Sequence, residues 1–202
     1  MERTYYPDFD VMEAQEAWDP HTRDIVTRRL EAGKSLTALT PGEAALLESL
    51  LRHLLYEERA DILGFVVSHF DKKVAERFGE GQRKAGVPEE DQLIRQGLIG
   101  LDDVAKHRHG QPWMELSVEE QVALVRELQS GSLEPVGMMA GLPQKELFDK
   151  VLSLALEAYA SHPQVWSEMG YGGPAYPRGY YRIEQGLRDP WEPQPAKRSE
   201  GP

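Results

Sequence analysis

The segment from residue 159 to residue 191 combines many aromatic residues with a density of Gly and Pro that excludes a long helix. The chain has 4 Trp, 8 Tyr and 5 Phe, and seven of them fall in this segment. Pro lacks a backbone donor and Gly weakens regular structure, so a central strand is excluded as well. These rings must therefore be buried against the chain's own domain or against a partner: Tyr159, Trp166, Tyr171, Tyr176, Tyr180, Tyr181 and Trp191.

The residues before this segment show the apolar periodicity of helices. Thr40 and Glu43 form a capping-box pattern with Pro41 at the first helical position, followed by a Leu-rich run. Strict alternation, which is typical of strands, is not seen. The sequence predicts an all-α bundle of five to six helices with a long irregular C-terminal arm. The spacing predicts helices over residues 20–32, 41–58, 61–78, 89–107, 118–129 and 143–160.

Four segments are expected along the chain. Residues 1–19 are predicted to be an N-terminal extension and residues 20–161 a helical bundle. Residues 162–191 are predicted to be an extended aromatic arm. Residues 192–202 mix proline and charge, which favours a disordered tail.

Charge and composition exclude several function classes. The net charge of −11 disfavours nucleic acid and anionic membrane surfaces, since both require a basic face. The absence of cysteine excludes disulfides, thiolate metal sites, iron–sulfur clusters and covalent haem c attachment. No run approaches 18 apolar residues, so no direct membrane span is expected.

The sequence contains no recognisable catalytic motif. Phosphate-binding loops, nucleophile elbows and the zinc motif His-Glu-x-x-His are all missing. No histidine has a carboxylate three residues before it, as a di-iron bundle requires. We therefore predict no catalytic, cofactor-binding or metal-binding residues in this chain. An enzyme or metal protein would need a site assembled from distant residues, and that alternative stays open for His69, Asp71, His107 and His109.

The run from residue 166 to residue 180, WSEMGYGGPAYPRGY, resembles the closing signature of the gluconate 2-dehydrogenase subunit 3 family. That signature has a Trp, then Gly-Tyr-x-Gly-Pro, then Tyr-Pro-x-Gly-Tyr. Earlier helices are also similar to the family, through the pair Phe70-Asp71 and the run Arg95-Gln96-Gly97-Leu98. The resemblance covers roughly residues 36–187.

The resemblance implies a small, non-catalytic accessory subunit of a sugar or sugar-acid dehydrogenase complex. In that family a large subunit carries FAD, a multihaem cytochrome c subunit accepts electrons, and the small subunit supports maturation, export and stability of the large one. FAD and haem c are therefore expected in partner subunits and not in this chain. By resemblance, the residues that contact the partner are Trp166, Tyr171, Gly173, Pro174, Tyr176, Pro177, Arg178 and Tyr180.

The compartment depends on the partner. Many members of that family begin with a twin-arginine export signal, whereas the first ten residues here have neither that pair nor an apolar segment. The chain as written is expected in the cytoplasm, or at the periplasmic face of the membrane if it is exported with a signal-bearing partner.

A stand-alone module is the alternative interpretation of the same residues. In that case the chain is a helical interaction or self-associating protein, and its C-terminal arm packs on its own bundle. Tyr and Trp rings fill grooves while their polar tips reach water, and this arrangement needs no partner.

Overall fold

The structure is a computed structural model that describes residues 4–31, 35–76, 84–179, 182, 184 and 186–195. Within these residues all regular structure is helical, which confirms the all-α fold class. Short 3-10 turns occupy Val11–Ala17, Trp113–Glu115 and Gly137–Met139. The α-helices are α1 (Pro20–Leu30), α2 (Pro41–Leu55), α3 (Ala60–Glu76), α4 (Glu90–His109), α5 (Val118–Ser130), α6 (Gln144–Tyr159) and α7 (Pro163–Met169).

Local capping explains where α2 and α5 begin. The Thr40 side chain accepts a hydrogen bond from the backbone of Glu43, whose carboxylate accepts one from the backbone of Thr40. Ser117 and Glu120 make the same reciprocal pair at the start of α5. Both capping boxes satisfy backbone donors that the first helical turn leaves free.

The other predicted boundaries differ by a few residues or cannot be compared. Helix α1 ends at Leu30 rather than at Ala32. The end of the predicted helix 61–78, part of the loop after it, Tyr180, Tyr181 and residues 196–202 lie outside the described residues. The short helix α7 lies within the segment predicted as an extended arm. A helix begins there because Pro163 suits the first helical position and the His162 side chain accepts a hydrogen bond from the backbone of Gln164.

The chain forms two compact units. Met1–Ala32 and Tyr159–Pro202 make up one, here called the terminal unit, and Gly33–Ala158 make up the other, the central unit. This grouping is by compactness, whereas the four segments expected from sequence follow the chain. Those segment boundaries stay a prediction.

The apolar faces of the helices form the core of the central unit. The Leu-rich face of α2 contributes Leu47 and Leu51, neither of which has any exposed surface. Residues from α3, α4 and α5 join them. The largest of these buried side chains are Ile62, Leu63, Phe70, Leu93, Ile94, Leu101, Leu124 and Leu128. No helix in the described part of the chain has the length and apolar character needed to cross a bilayer.

A buried carboxylate fixes the segment that leads into α2. Asp71 on α3 is 3% exposed and accepts hydrogen bonds from the backbone of Thr37, Ala38 and Leu39 at 2.7–2.8 Å. It also accepts a bond from the Thr37 hydroxyl at 2.8 Å. Burial alone raises the pKa of Asp71, but these bonds outweigh burial and hold the pKa below its ordinary value of 3.8.

Arg95 on α4 also makes hydrogen bonds to the segment that leads into α2. Its guanidinium donates to the Ala38 carbonyl at 2.6 Å and to the Glu43 carboxylate of the capping box. Burial raises the pKa of Glu43, and the bonds from Thr40 and Arg95 outweigh it, so that the pKa is lowered. Helices α2, α3 and α4 are thus joined through one short stretch of backbone.

Replacing Asp71 by Asn should destabilise the protein by about 2 kcal/mol at neutral pH, because charge-assisted hydrogen bonds to three amides are weakened. The pKa of Asp71 is lower in the folded state, so its stabilisation is full above pH 3.8 and is lost as the pH falls below that value. Urea unfolding at pH 7 and at pH 3 measures both effects. The gap between wild type and Asp71→Asn should shrink at pH 3. The exposed Asp149→Asn serves as control, and equal stability of Asp71→Asn and wild type at pH 7 would contradict the assignment.

Two glycines allow close packing along α4. A Cβ on Gly97 would lie 2.5 Å from Leu147 Cδ1 on α6. A Cβ on Gly100 would lie 2.9 Å from the backbone nitrogen of Met139. The glycine in the Arg-x-Gly-Leu run therefore has a packing role between helices.

Gly100→Ala should cost about 1–3 kcal/mol, since backbone atoms of the 3-10 turn cannot move aside cheaply. Gly42→Ala is the matched control: it also lies in a helix, but no atom lies within 4 Å of its added Cβ. That control should be neutral or stabilising by up to about 1 kcal/mol. Thermal unfolding followed by circular dichroism distinguishes them, and an equal effect of both substitutions would refute the packing role.

Candidate functional site

The base of the C-terminal arm is a small aromatic core in the terminal unit. Trp166 on α7 is 8% exposed and clusters with Val11, Trp18 and Val26. Its indole Nε1 donates to the Ala160 carbonyl at 2.7 Å, so the polar atom of this buried ring is satisfied. Trp166, predicted as a partner contact, therefore lies inside the unit.

The guanidinium group of Arg29 on α1 lies over the ring of Trp166. Its guanidinium carbon lies 5.2 Å from the ring centroid, and Nη1 donates to the Ser161 carbonyl at 2.8 Å. Burial lowers the pKa of Arg29, and the nearby Tyr171 acts in the opposite direction. Arginine still remains protonated at neutral pH, so a cation–π contact is maintained here.

The N-terminal segment packs on α7. The backbone of Val11 donates to Ser167 Oγ at 3.0 Å, and the Thr4 hydroxyl donates to the Glu168 carbonyl at 2.5 Å. A Cβ on Gly170 would collide with the Tyr6 ring. Thr4, Tyr6 and Val11, which belong to the predicted N-terminal extension, thus pack against α7 at the base of the arm.

Gly173 allows the arm to lie close to Trp18 and Val11. Gly173 has φ +80°, a conformation that favours glycine, and it is buried. An added Cβ would lie 2.7 Å from the Trp18 ring and 2.9 Å from Val11. Gly173 therefore determines the path of the arm, and its predicted contact with a partner stays a prediction.

Arg178 holds the turn of the arm. Its Nη2 donates to the carbonyls of Gly172 at 2.7 Å and Pro174 at 3.0 Å. Its guanidinium carbon also lies 4.9 Å from the centroid of the Trp191 ring. The structure therefore gives Arg178 an internal role in shaping the arm, and its predicted contact with a partner stays a prediction.

The outer edge of the arm presents aromatic and proline surface. Tyr176 is 71% exposed, Tyr171 is 40% exposed, and Pro177 is also exposed. Pro174 is half-buried. Tyr180 lies outside the described residues. The seven described residues of the predicted partner contact thus divide into those that build the arm and those that face outward.

Sequence reasoning missed two residues that shape this site, Trp18 and Arg29, and it named Trp191 only as a ring that must be buried. Trp18, Arg29 and Trp191 contact Gly173, Trp166 and Arg178, respectively. Trp18 and Arg29 are far from the arm along the chain, so no local pattern indicates them. The run Asp-Pro-Trp-Glu-Pro around Trp191 was a visible signal, since an isolated aromatic among prolines needs a packing partner.

A cleft of about 590 Å³ lies between residues 7–14 and residues 190–195, all within the terminal unit. Phe9 and Trp191 contribute its aromatic surface. Its lining includes four acidic side chains, Asp8, Asp10, Glu13 and Glu192. This lining would repel an anionic ligand.

The open alternative of a histidine site finds no support in the central unit. His69 lies 3.5 Å from Glu157, and burial lowers its pKa. His107 and His109 lie near Glu134 and Glu120, at 3.8 and 3.1 Å. Asp71 is bonded to backbone. Across the part of the chain that the structure describes, no three His, Asp or Glu side chains are placed to hold a metal ion.

Gly173→Ala should loosen the arm, because it adds an overpacking cost of about 1–3 kcal/mol to the cost of a positive φ. Gly179→Ala is the matched control, since Gly179 also has positive φ (+70°) but has open space around the added Cβ. Limited proteolysis and tryptophan fluorescence report on the arm and on Trp18. Equal protease sensitivity of the two variants would show that the contact with Trp18 is unimportant.

Helices α2 to α7 and the base of the arm match a known protein family. No curated protein and no solved structure matched the chain. The family model for gluconate 2-dehydrogenase subunit 3 matches residues 41–173, well over half of the 202 residues. The matched range includes Asp71, Arg95, Trp166 and Gly173. The chain therefore belongs to the gluconate 2-dehydrogenase subunit 3 family.

Proposed function

We propose that this chain is a non-catalytic accessory subunit of a gluconate or sugar dehydrogenase complex. It binds and stabilises the FAD-carrying catalytic subunit and assists its maturation or export. Family membership supports a place in a dehydrogenase complex. The observation that carries the finer proposal is an exposed aromatic edge on an arm whose path is fixed from inside.

The geometry of the arm is suited to binding a protein. Tyr176 offers a large amphipathic ring, and Tyr and Trp side chains often dominate the energetics of interfaces. Arg178 and Gly173 hold the backbone in place before any partner arrives. A preorganised arm loses less conformational entropy on binding, so more of the contact energy contributes to affinity.

The polar interior of the central unit supports a structural role. The Asp71 carboxylate accepts hydrogen bonds from the backbone of residues 37–39. Gln121 donates to the Trp113 carbonyl at 2.8 Å and accepts from His53 at 2.7 Å. In this proposal the redox chemistry belongs to partner subunits, with FAD in the large one and haem c in a cytochrome subunit.

The stand-alone module remains the second candidate, because part of the arm packs in cis. Trp166 and Arg178 make the contacts described above within the terminal unit. Affinity capture of the chain at native expression, with absorbance spectra of the recovered material, separates the candidates. A co-purifying flavoprotein supports the accessory subunit, whereas a colourless chain recovered alone supports the module.

Tyr176→Ala should weaken binding to the captured flavoprotein by about tenfold or more, as expected for an interface hot spot of about 1–3 kcal/mol. The melting temperature of the isolated chain should not change, because the ring is 71% exposed. Tyr5→Ala removes another exposed tyrosine, 66% exposed and outside the arm, and should leave affinity unchanged. If Tyr176→Ala bound as tightly as wild type, the arm would not be the interface.

A further inference from the structure

The cleft of the terminal unit lies between two chain segments that both pack on the base of the arm. An added Cβ on Gly172 would lie 3.3 Å from the Trp191 ring, and one on Gly173 would lie 2.9 Å from Val11. Both glycines are buried. Two adjacent residues of the arm therefore fix the two walls relative to each other. The volume of about 590 Å³ between them is in the range of pockets that enclose small ligands.

The cleft offers aromatic surface from both walls. The Trp191 ring already accepts one guanidinium group, since the guanidinium carbon of Arg178 lies 4.9 Å from its centroid. A flat ring has two faces, and Arg178 is not among the residues that line the cleft. Phe9 lines the other wall, is half-buried and packs against the aromatic core of the unit. Such rings suit a cationic group.

Four carboxylates line the same cleft, and none of the described residues that line it is basic. Asp8 and Glu13 are exposed and make no ion pair or side-chain hydrogen bond among the described residues. Asp10 and Glu192 each use one oxygen to accept a backbone hydrogen bond, at 2.9 and 2.6 Å. Like charges gathered around a cleft attract a cation into it.

The arginines near these walls have contacts other than the four carboxylates. Arg188 Nη1 donates to the Pro193 carbonyl at 2.6 Å. Arg23 is paired at 2.6 Å with Glu16, which does not line the cleft. Arg178 donates to carbonyls of the arm, as described above. The excess of negative charge is therefore local to the cleft and does not merely repeat the net charge of the chain.

We propose that this cleft binds the arginine side chain of a basic peptide. A guanidinium group stacks on aromatic rings and donates two parallel hydrogen bonds to a carboxylate, so it uses both features of the lining. Pro190 and Pro195 add apolar surface for the methylene stem of arginine. Free arginine fits less well, because its own carboxylate would meet the acidic lining. Tyr176 does not line the cleft, so this inference is independent of the proposed function.

Calorimetric titration of the isolated chain with the blocked dipeptide acetyl-Arg-Arg-amide, at low salt, tests the site. The matched probe is the same dipeptide with citrulline, which keeps nearly the same shape without the charge. Citrulline should weaken binding by about tenfold or more, because the charge-assisted hydrogen bonds and the cation–π contact are lost. Equal affinity of the two peptides, or no binding of the arginine peptide, would overturn the proposal.

Glu13→Gln and Asp8→Asn should each weaken binding of the arginine peptide severalfold, since each removes one carboxylate of the cleft and keeps its shape. Both side chains are exposed, so the melting temperature should not change. Glu31→Gln is the matched control, because it removes an exposed carboxylate of the terminal unit outside the cleft and should leave the affinity unchanged. An equal loss in Glu31→Gln would mean that the peptide responds only to net charge, which would overturn the site.

The chain itself carries the same chemistry, because Lys197 and Arg198 follow the lining residue Pro195 closely in the sequence. Replacing both by Ala separates the two sources of the cation. Unchanged affinity for the arginine peptide supports an external ligand. Affinity that rises about tenfold would identify the chain's own residues as the occupant and overturn the proposal. Failure to capture a flavoprotein would overturn the proposed function alone, since these titrations use the isolated chain.

Discussion

The carboxylate of Asp71 is the interaction on which the central unit depends. It gathers three consecutive amides and a hydroxyl from residues 37–39, and so fixes the backbone that enters α2. Arg95 holds the same stretch through the Ala38 carbonyl. One buried charge thus sets the relation of α2, α3 and α4. The residues of two family motifs, Phe70-Asp71 and Arg-x-Gly-Leu, have a structural explanation within this chain alone.

The sequence predicted what is local and missed what is distant. Helices α2 and α5 were predicted well because Thr40 and Ser117 form caps within four residues, and apolar periodicity is read along the same stretch. The role of Asp71 could not be predicted, since its partners lie 32–34 residues away. The resemblance identified the family, and the contacts of Asp71 became visible only in the structure.

The arm shows the same limit. Gly and Pro remove periodicity, so no pattern tells which rings point inward. The structure buries Trp166, exposes Tyr176 and turns Arg178 back onto carbonyls of the arm. Family resemblance grouped all three as partner contacts. Separating path-setting residues from exposed ones required the three-dimensional positions of Trp18 and Trp191.

The terminal unit joins residues that are far apart along the chain, since Val11 and Ser167 bond across 156 positions. The two parts of the terminal unit are therefore synthesised at very different times during translation. The central unit has all of its residues available first, whereas the segment around Val11 waits for α7 to emerge. Contacts of such long range also slow folding. A nascent chain halted before α7 therefore lacks Ser167 and the whole of the arm, so the terminal unit cannot yet be complete.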